Sequence, residues 1–372
     1  MIEVPGDEAA RYRDATEALH RDVRISRRYE RRGQILWQCG LANLIRADFQ
    51  GLLGLIPGQT GNLLDAGCGT GIEFDNFRQG YPYLRFYGVD ISSVALAEAI
   101  KRPEAGAAQF SQAALEHLPF SDSVFDFITS HEVIEHVEDP AVVLGEFYRV
   151  LKPGGVCVIA TPNGSSWWME HLRQRLMRLI GRRGAPVGAD HVRPPSFWIL
   201  QFRRMGFLIE QHIFDGAAFD FQLMILPPAW MPAFCRIYEP LRSVPLVKLW
   251  LCDRVKFKLK KPGQLLGETG VITACCPLCR EMMLEDGPTC RNGHHFARNA
   301  IGLVDFTRPL NGSFGSHVDD RAFRPGSKFV RRTMQLAFLP VTLLLLLLLL
   351  PVGLLVSRFY QPLLSYNQSG KN

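Results

Sequence analysis

The stretch Asn62-Leu-Leu-Asp-Ala-Gly-Cys-Gly-Thr-Gly71 decides the fold of this chain. It starts as a short apolar strand and continues into a turn with a glycine at every second position. Such a turn can pass close to a ligand because glycine has no Cβ. A helix is predicted to begin near Ile72, and the residues from Leu84 to Asp90 are predicted to form a second strand. An acid at the tip of that strand can accept hydrogen bonds from both ribose hydroxyls, so this β-α-β order predicts a nucleotide-binding unit rather than an ordinary βα turn.

The glycine spacing separates two classes of cofactor. Dinucleotide-binding folds use G-x-G-x-x-G, with a helix N-terminus facing a pyrophosphate. Here the pattern is D-x-G-x-G-x-G, and Asp65 at the strand end is suited to a cationic amino-acid group. The pattern resembles motif I of the class I S-adenosylmethionine (SAM)-dependent methyltransferases. The resemblance implies an α/β fold, a Rossmann-like seven-stranded sheet with helices on both faces.

Further segments occur in the order of that family. Residues 116–120 and 123–131 resemble its third- and fourth-strand region, and residues 133–140 resemble the loop and helix start that follow. Residues 146–155 resemble the next helix and turn, with residues 156–160 as strand five. The most similar group includes the ubiquinone and menaquinone biosynthesis methyltransferases. Residues 255–260 alternate apolar and basic, which predicts a final edge strand of the sheet.

The resemblance also implies where the cofactor SAM binds. Asp65 and the glycine-rich loop hold the methionine part, Asp90 holds the ribose, Ile91 packs on the adenine, and His131 lies beside the sulfonium. The family often has an acid at the position of Ala114, so adenine binding here depends on the backbone near Leu115 and on apolar packing. The full set implied by the resemblance is Asp65, Gly67, Cys68, Gly69, Gly71, Asp90, Ile91, Ala114, Leu115 and His131.

The acceptor of the methyl group is less well marked. His136 and His191 are the candidate general bases for a hydroxyl acceptor, because imidazole titrates near neutral pH. A surface histidine is the alternative for His191. Glu132, Glu135 and His136 would share one face of a helix and could hold a divalent cation. The alternative is that these three residues are a common loop feature of the family.

Four residues near the C-terminal end have the spacing of a zinc site. Cys276 and Cys279, followed by Cys290 and His294, form C-x2-C and C-x3-H pairs that can surround Zn²⁺ as a closed, structural tetrahedron. Cys275 and His295 are adjacent, so the assignment could shift by one residue. The segment resembles the zinc ribbon of a bacterial ribosomal-RNA guanine methyltransferase and small zinc-binding activator subunits of methyltransferases.

The last part of the chain predicts a membrane anchor. Residues 333–357 carry no charge and include eight consecutive leucines, and a helix of that length spans a bilayer core of about 30 Å. Basic residues precede this segment, so the long N-terminal part is expected in the cytoplasm. The alternative is a buried core helix.

These features divide the chain into six parts. They are a basic helical arm (1–50), the methyltransferase domain (51–262, with insertions near 163–195 and 219–251), a zinc-ribbon-like module (271–308), a basic linker (309–332), the anchor (333–357) and a short tail (358–372).

Composition excludes a disordered or collagen-like chain, because 47% of the residues are hydrophobic and 21% are charged. The predicted function is a membrane-anchored SAM-dependent methyltransferase for a lipid-soluble or small-molecule acceptor. One alternative is an RNA or protein methyltransferase that captures its substrate with the zinc ribbon. The other is a non-catalytic membrane scaffold.

Overall fold

The computed structural model describes residues 51–102, 108–137, 139–166, 192–217, 252–264, 272–284 and 287–311. The strands in these residues are β1 (Gly61–Ala66), β2 (Leu84–Asp90), β3 (Ala108–Gln112), β4 (Phe125–His131), β5 (Leu151–Pro162), β6 (Leu208–Ala217), β7 (Cys252–Lys260), β8 (Phe296–Arg298) and β9 (Val304–Pro309). The helices are α1 (Ile72–Gly80), α2 (Ser93–Ile100), α3 (Pro140–Val150) and α4 (Pro195–Arg204), and a 3-10 turn spans Leu115–His117. The first helix and the second strand therefore start where the sequence predicts them.

The strands form one mixed sheet in the order β6-β7-β5-β4-β1-β2-β3-β9-β8. Strands β1 to β5 run parallel, and β7 is antiparallel to both of its neighbours. Every residue of β1 is buried, as expected for a central parallel strand covered on both faces. The carboxyl ends of β1, β2 and β4 thus lie at one edge of the sheet, where open α/β sheets bind their ligands.

Two apolar cores cover the two faces of the sheet. Leu63 contributes to a core that contains the aromatic side chains of α1, whereas Leu64 contributes to a core that contains the apolar side chains of α3 and α4. Adjacent residues of a strand point to opposite faces, so this split follows from the period of two. The helix starts are also set by sequence: Ser92 caps α2, and Asp139 caps α3 just before Pro140.

Two predictions about the sheet are corrected. The alternating strand β7 is not an edge strand, because it pairs with β5 on one side and with β6 on the other. Its basic residues lie on the same face as Val158 and Ala160 of β5, and two of them, Lys258 and Lys260, form ion pairs with Glu210 of β6. The sheet also exceeds the predicted seven strands, since β8 and β9 from the predicted zinc module extend it beyond β3.

The predicted arm, both insertions over most of their length, and the predicted anchor lie outside the described residues. Within the described ranges, no helix combines the length and the apolar character needed to cross a membrane. The anchor at 333–357 stays a prediction.

Candidate functional site

The glycine-rich loop (67–71) joins β1 to α1 in a conformation that needs glycine. Gly67, Gly69 and Gly71 have φ values of +81°, +51° and +74°, a region that L-residues rarely adopt. The Gly67 N–H donates to the Val89 carbonyl at 2.8 Å, which holds the loop against β2. A Cβ on Gly67 would lie 2.4 Å from Val133, whereas a Cβ on Gly69 would meet no atom within 4 Å. The loop is therefore tightly packed on one side and open beside Gly69.

Asp90 at the end of β2 accepts two hydrogen bonds, one of which holds this loop. Its two carboxylate oxygens accept the N–H groups of Gly69 and Ser92, each at 2.8 Å. An ionised carboxylate has about four acceptor positions and is the type of group that accepts hydrogen bonds from ribose hydroxyls. Asp90 is buried, which makes hydrogen bonds to its carboxylate stronger than they would be in water.

Asp65 at the end of β1 is a buried acid among other acids. It is 4% exposed, and the Thr129 hydroxyl donates to its carboxylate at 3.1 Å. Burial, together with the charges of Glu73 and Asp90, raises the pKa of Asp65 to about 8, although the Thr129 hydrogen bond opposes the shift. A cationic ligand group would relieve this charge repulsion. The acidic character of Asp65 and its neighbours therefore fits the positively charged ammonium and sulfonium groups of SAM.

Two other predicted cofactor residues flank this acid. The Cys68 side chain is buried beside Gly88, and burial raises its pKa well above the usual range. His131, at the end of β4, lies with Nδ1 3.7 Å from the carboxylate of Glu73 in α1. The structure thus brings the ends of β1, β2 and β4 together around the glycine-rich loop.

The predicted adenine side lies between β2 and β3. The Ala113 N–H donates to the Asp90 carbonyl, and Ala114 leads directly into the 3-10 turn that contains the buried Leu115. Ile91 is half-buried, and its carbonyl accepts a 3.1 Å hydrogen bond from the Gln112 side chain. The Ala114 side chain carries no acceptor, so adenine binding at this wall through backbone groups and apolar surface stays a prediction.

The residues predicted for the acceptor side are only partly described. Glu135 is 1% exposed and accepts the Thr161 hydroxyl at 3.2 Å, while Glu132 lies 3.6 Å from Arg254. Burial, and then the charge of Glu132, raises the pKa of Glu135 well above its usual range. His136 is half-buried in the turn after β4, and His191 lies outside the described residues.

One cluster in the described ranges gathers three or more metal-binding side chains. It comprises Cys276, Cys279, Cys290 and His294, whose ligand atoms all lie within 4.8 Å of one another. Glu132, Glu135 and His136 do not form such a cluster, so their possible role as cation ligands gains no support. Cys275 and His295 are also outside the cluster: the Cys275 side chain is buried, and the His295 ring lies 2.5 Å from the Thr289 hydroxyl.

The distances in the cluster match a tetrahedral zinc site. Zn–S and Zn–N bonds of about 2.3 Å and about 2.0 Å imply S–S edges of about 3.8 Å and S–N edges of about 3.5 Å. The Cys279 and Cys290 sulfurs are 3.6 Å apart. His294 Nδ1 lies 3.3 to 3.6 Å from the three sulfurs. These four edges are close to those of a zinc tetrahedron, and all four ligand atoms lie within 4.8 Å of one another.

Comparisons with known proteins agree with this geometry. Residues 64–159 match the family model described as a methyltransferase domain. The chain is 35% identical over 141 residues to malonyl-(acyl-carrier protein) O-methyltransferase of Pectobacterium atrosepticum, covering 38% of this chain and 53% of that protein. It is 38% identical over 102 residues to the ubiquinone/menaquinone biosynthesis C-methyltransferase UbiE of Desulfotalea psychrophila. That alignment covers 27% of this chain and 41% of that protein. The chain thus spans about half the length of these curated relatives.

The solved structures that match the chain include phosphoethanolamine N-methyltransferase 2 of Haemonchus contortus in complex with SAM. Its sequence is 19% identical to this chain, and the TM-score is 0.47. The alignment covers 68% of this chain and 60% of that chain. Residues 64–159 thus match a methyltransferase domain, and the curated relatives named above are methyltransferases.

Sequence reasoning missed several residues that shape the site. Thr129 is one of them. It lies two residues before His131, and because alternate residues of a strand share a face, this spacing could have predicted that Thr129 points to the same side as His131. Glu73, Gln112 and Arg280 were missed because their partners are distant in sequence.

Proposed function

We propose that this chain is a SAM-dependent methyltransferase that transfers a methyl group to a hydroxyl, or to another nucleophile, of a small or lipid-soluble acceptor. The observation that carries the proposal is the loop geometry: three glycines at positive φ, with Asp90 bonded to Gly69 and the buried Asp65 beside them. This arrangement offers two acidic groups and an open backbone to a ligand that is cationic at one end and carries ribose hydroxyls in the middle.

Methyl transfer from SAM mainly requires that the protein position the methyl donor and the acceptor. When bound, SAM supplies a methyl group on a positively charged sulfur. In the proposed site Asp65 binds the cationic methionine part and Asp90 accepts the ribose hydroxyls, which places the sulfonium near His131. Methyl transfer is an in-line displacement, so orienting the two reactants accounts for most of the acceleration. His136 or His191 would remove the proton of a hydroxyl acceptor.

Two considerations favour a small acceptor. One named relative is a ubiquinone/menaquinone biosynthesis C-methyltransferase. The metal cluster belongs to the segment that contains β9, and four strand spacings of about 4.8 Å separate β9 from β4, whose end bears His131. This separation of the strands favours a structural role for the cluster over direct contact with an acceptor. RNA or protein substrates are therefore the alternative outcome of the test.

The experiment uses the full-length protein with SAM labelled in its methyl group. It is incubated separately with total lipid extract, total RNA and total protein, and the label in each fraction is measured. We expect label in the lipid fraction for the wild type and none for Asp90→Ala. Glu98→Gln is the matched control, since Glu98 is exposed and pairs only with Lys101 in the described contacts. Label confined to RNA or protein would overturn the small-acceptor assignment, and absence of SAM binding by the folded protein would favour the scaffold alternative.

We propose Zn²⁺ as a structural ion held by Cys276, Cys279, Cys290 and His294. The support is the agreement of the ligand distances with a tetrahedron and the burial of two of the three sulfurs, Cys276 and Cys290. Elemental analysis of the purified chain should give about one zinc per molecule, and a double substitution of Cys276 and Cys279 by serine should abolish it. Retention of zinc by that variant would contradict the assignment.

We propose that residues 333–357 anchor the chain in a membrane with the methyltransferase domain in the cytoplasm. The support is the uncharged length of the segment and its basic N-terminal flank. Flotation of the full-length chain with liposomes tests this proposal. A chain ending at residue 332 should stay at the bottom of the gradient, and flotation of that shortened chain would refute the anchor.

A further inference from the structure

The metal module (272–284 and 287–311) is built into the methyltransferase domain. Its strand β9 pairs in parallel with β3, where Asp305 is opposite Gln112. The Ile272 N–H donates to the hydroxyl of Tyr87 in β2 at 3.0 Å, and Phe296 and Phe306 belong to the same apolar core as α3. The module therefore forms one packed unit with the half of the sheet that carries the proposed adenosine pocket.

One side-chain contact joins the module to the tip of β2. The Gln112 amide donates to the Ile91 carbonyl at 3.1 Å, and its oxygen accepts the Asn299 amide at 2.7 Å. The Asn299 oxygen accepts the N–H groups of Ile301 and Leu303, at 3.1 and 3.0 Å, which fixes the turn between β8 and β9. An ordered turn in the module thus orients the residue that follows Asp90.

A second contact joins the module to the proposed adenine wall. The Arg280 guanidinium donates to the Leu118 carbonyl and to the Glu146 carboxylate, both at 3.0 Å. The Leu118 N–H donates to the other oxygen of Glu146 at 2.9 Å. Leu118 directly follows the turn that contains Leu115. Arg280 therefore joins the module to Leu118 and to α3, where Arg149 also donates to the Leu118 carbonyl at 3.3 Å.

The backbone of Arg280 supports a dedicated role for its side chain. Arg280 directly follows the ligand Cys279 and has φ +64°, a conformation that glycine adopts without cost and other residues rarely adopt. Its N–H donates to the Cys276 carbonyl at 2.8 Å, so this conformation closes the turn that carries the first two ligands, Cys276 and Cys279. A long charged side chain at such a position carries a backbone penalty, which the contacts to Leu118 and Glu146 offset.

We propose that Arg280 and Asn299 are positioning residues that couple metal binding in the module to SAM affinity in the methyltransferase domain. With zinc bound, the two ligand turns are fixed, and these two side chains hold Leu118 and Gln112 in the arrangement that receives adenosine. Without zinc, the turns lose their common ligand and the pocket is less ordered. The inference rests on the proposed SAM site and zinc site.

The first experiment measures SAM binding by calorimetry on the full-length chain at saturating zinc. Two variants remove only the connecting groups. Arg280→Gly removes the guanidinium and also the backbone penalty, and Asn299→Asp keeps the acceptor for the β8–β9 turn but removes the donor to Gln112. We expect each variant to keep one zinc and to bind SAM about 3- to 10-fold more weakly, in the range known for residues that modulate coupling. Arg298→Gln is the matched control, because Arg298 bonds to Gly302 inside the module.

The second experiment uses the reciprocity of coupled binding. If zinc raises SAM affinity, SAM must raise zinc affinity by the same factor. Competition of the wild type with a chelator should therefore show tighter zinc when SAM is saturating, and the difference should shrink in Asn299→Asp. Equal SAM affinity, within twofold, of the wild type and both variants would overturn the coupling. Failure of the wild type itself to bind SAM would instead overturn the proposed function.

Discussion

Binding of SAM should release a proton from Asp65. Burial and the neighbouring acids raise the pKa of Asp65 to about 8 in the ligand-free protein, so at pH 7 the carboxyl holds about 0.9 proton. A cationic ligand favours the ionised form and lowers this pKa. Up to about one proton should therefore leave for each SAM bound at pH 7. Affinity should rise by as much as about tenfold per pH unit as the pH approaches 8, and level off above it.

The assay is calorimetry at pH 7 in two buffers with different ionisation enthalpies. The difference between the observed heats, divided by the difference between the ionisation enthalpies, gives the number of protons released. Asp65→Asn is the matched variant, because it keeps the size of the side chain and removes the titration. We expect about 0.9 proton for the wild type and close to none for the variant. Equal wild-type heats in both buffers, together with a flat affinity between pH 6 and pH 8, would refute the reasoning.

The same titration affects stability without ligand. The folded-state pKa of Asp65 lies above the unfolded value of 3.8, so its contribution to stability is full below about pH 4 and falls until about pH 8. The free energy of unfolding should decrease by about 1.4 kcal/mol per pH unit from this group over that window. Asp65→Asn should remove that part of the slope in urea unfolding curves measured at pH 5, 6 and 7.

Three further outcomes are expected. Gly67→Ala should weaken SAM binding by at least about tenfold in calorimetry, because its Cβ would meet Val133 at 2.4 Å and the φ of +81° costs an L-residue about 1–2 kcal/mol. Lys152→Met should lower the free energy of unfolding by about 3 kcal/mol in urea titrations, because it leaves the buried Asp126 carboxylate without the cation 2.8 Å away. Removal of metal by a chelator should lower the melting temperature in calorimetric scans, and added Zn²⁺, but not Mg²⁺, should restore it.

Each of these has its own control. Gly145→Ala adds a methyl where no atom lies within 4 Å, so it should leave SAM affinity unchanged. Addition of Asp126→Asn to Lys152→Met should recover part of the lost stability, since the uncompensated charge is gone. The first prediction is contradicted if Gly67→Ala loses no more SAM affinity than Gly145→Ala. The second is contradicted if Lys152→Met lowers the free energy of unfolding by less than about 1 kcal/mol. The third is contradicted if the melting temperature is unchanged after zinc removal.

The central β-α-β unit was predictable because its signals are local. The alternating glycines specify positive φ in the loop, and the acid at Asp90 marks the end of β2. The four metal ligands were likewise predictable from two short spacings. The position of β7 within the sheet was not predictable. An alternating apolar and basic pattern predicts a strand with one polar face, but it does not specify whether another strand pairs with its second edge.

By itself, the sequence predicted the methyltransferase match over residues 64–159, the four residues of the Cys/His cluster and the acids of the proposed cofactor site. Only the tertiary structure decided that the metal module continues the sheet beyond β3, and that Arg280 contacts Leu118 and Asn299 contacts Gln112. The physical reason is the range of the interactions. Backbone conformation and chelate spacing depend on a few neighbouring residues. The contacts of Arg280 with Leu118 and of Asn299 with Gln112 join groups 162 and 187 residues apart, which only packing can bring together.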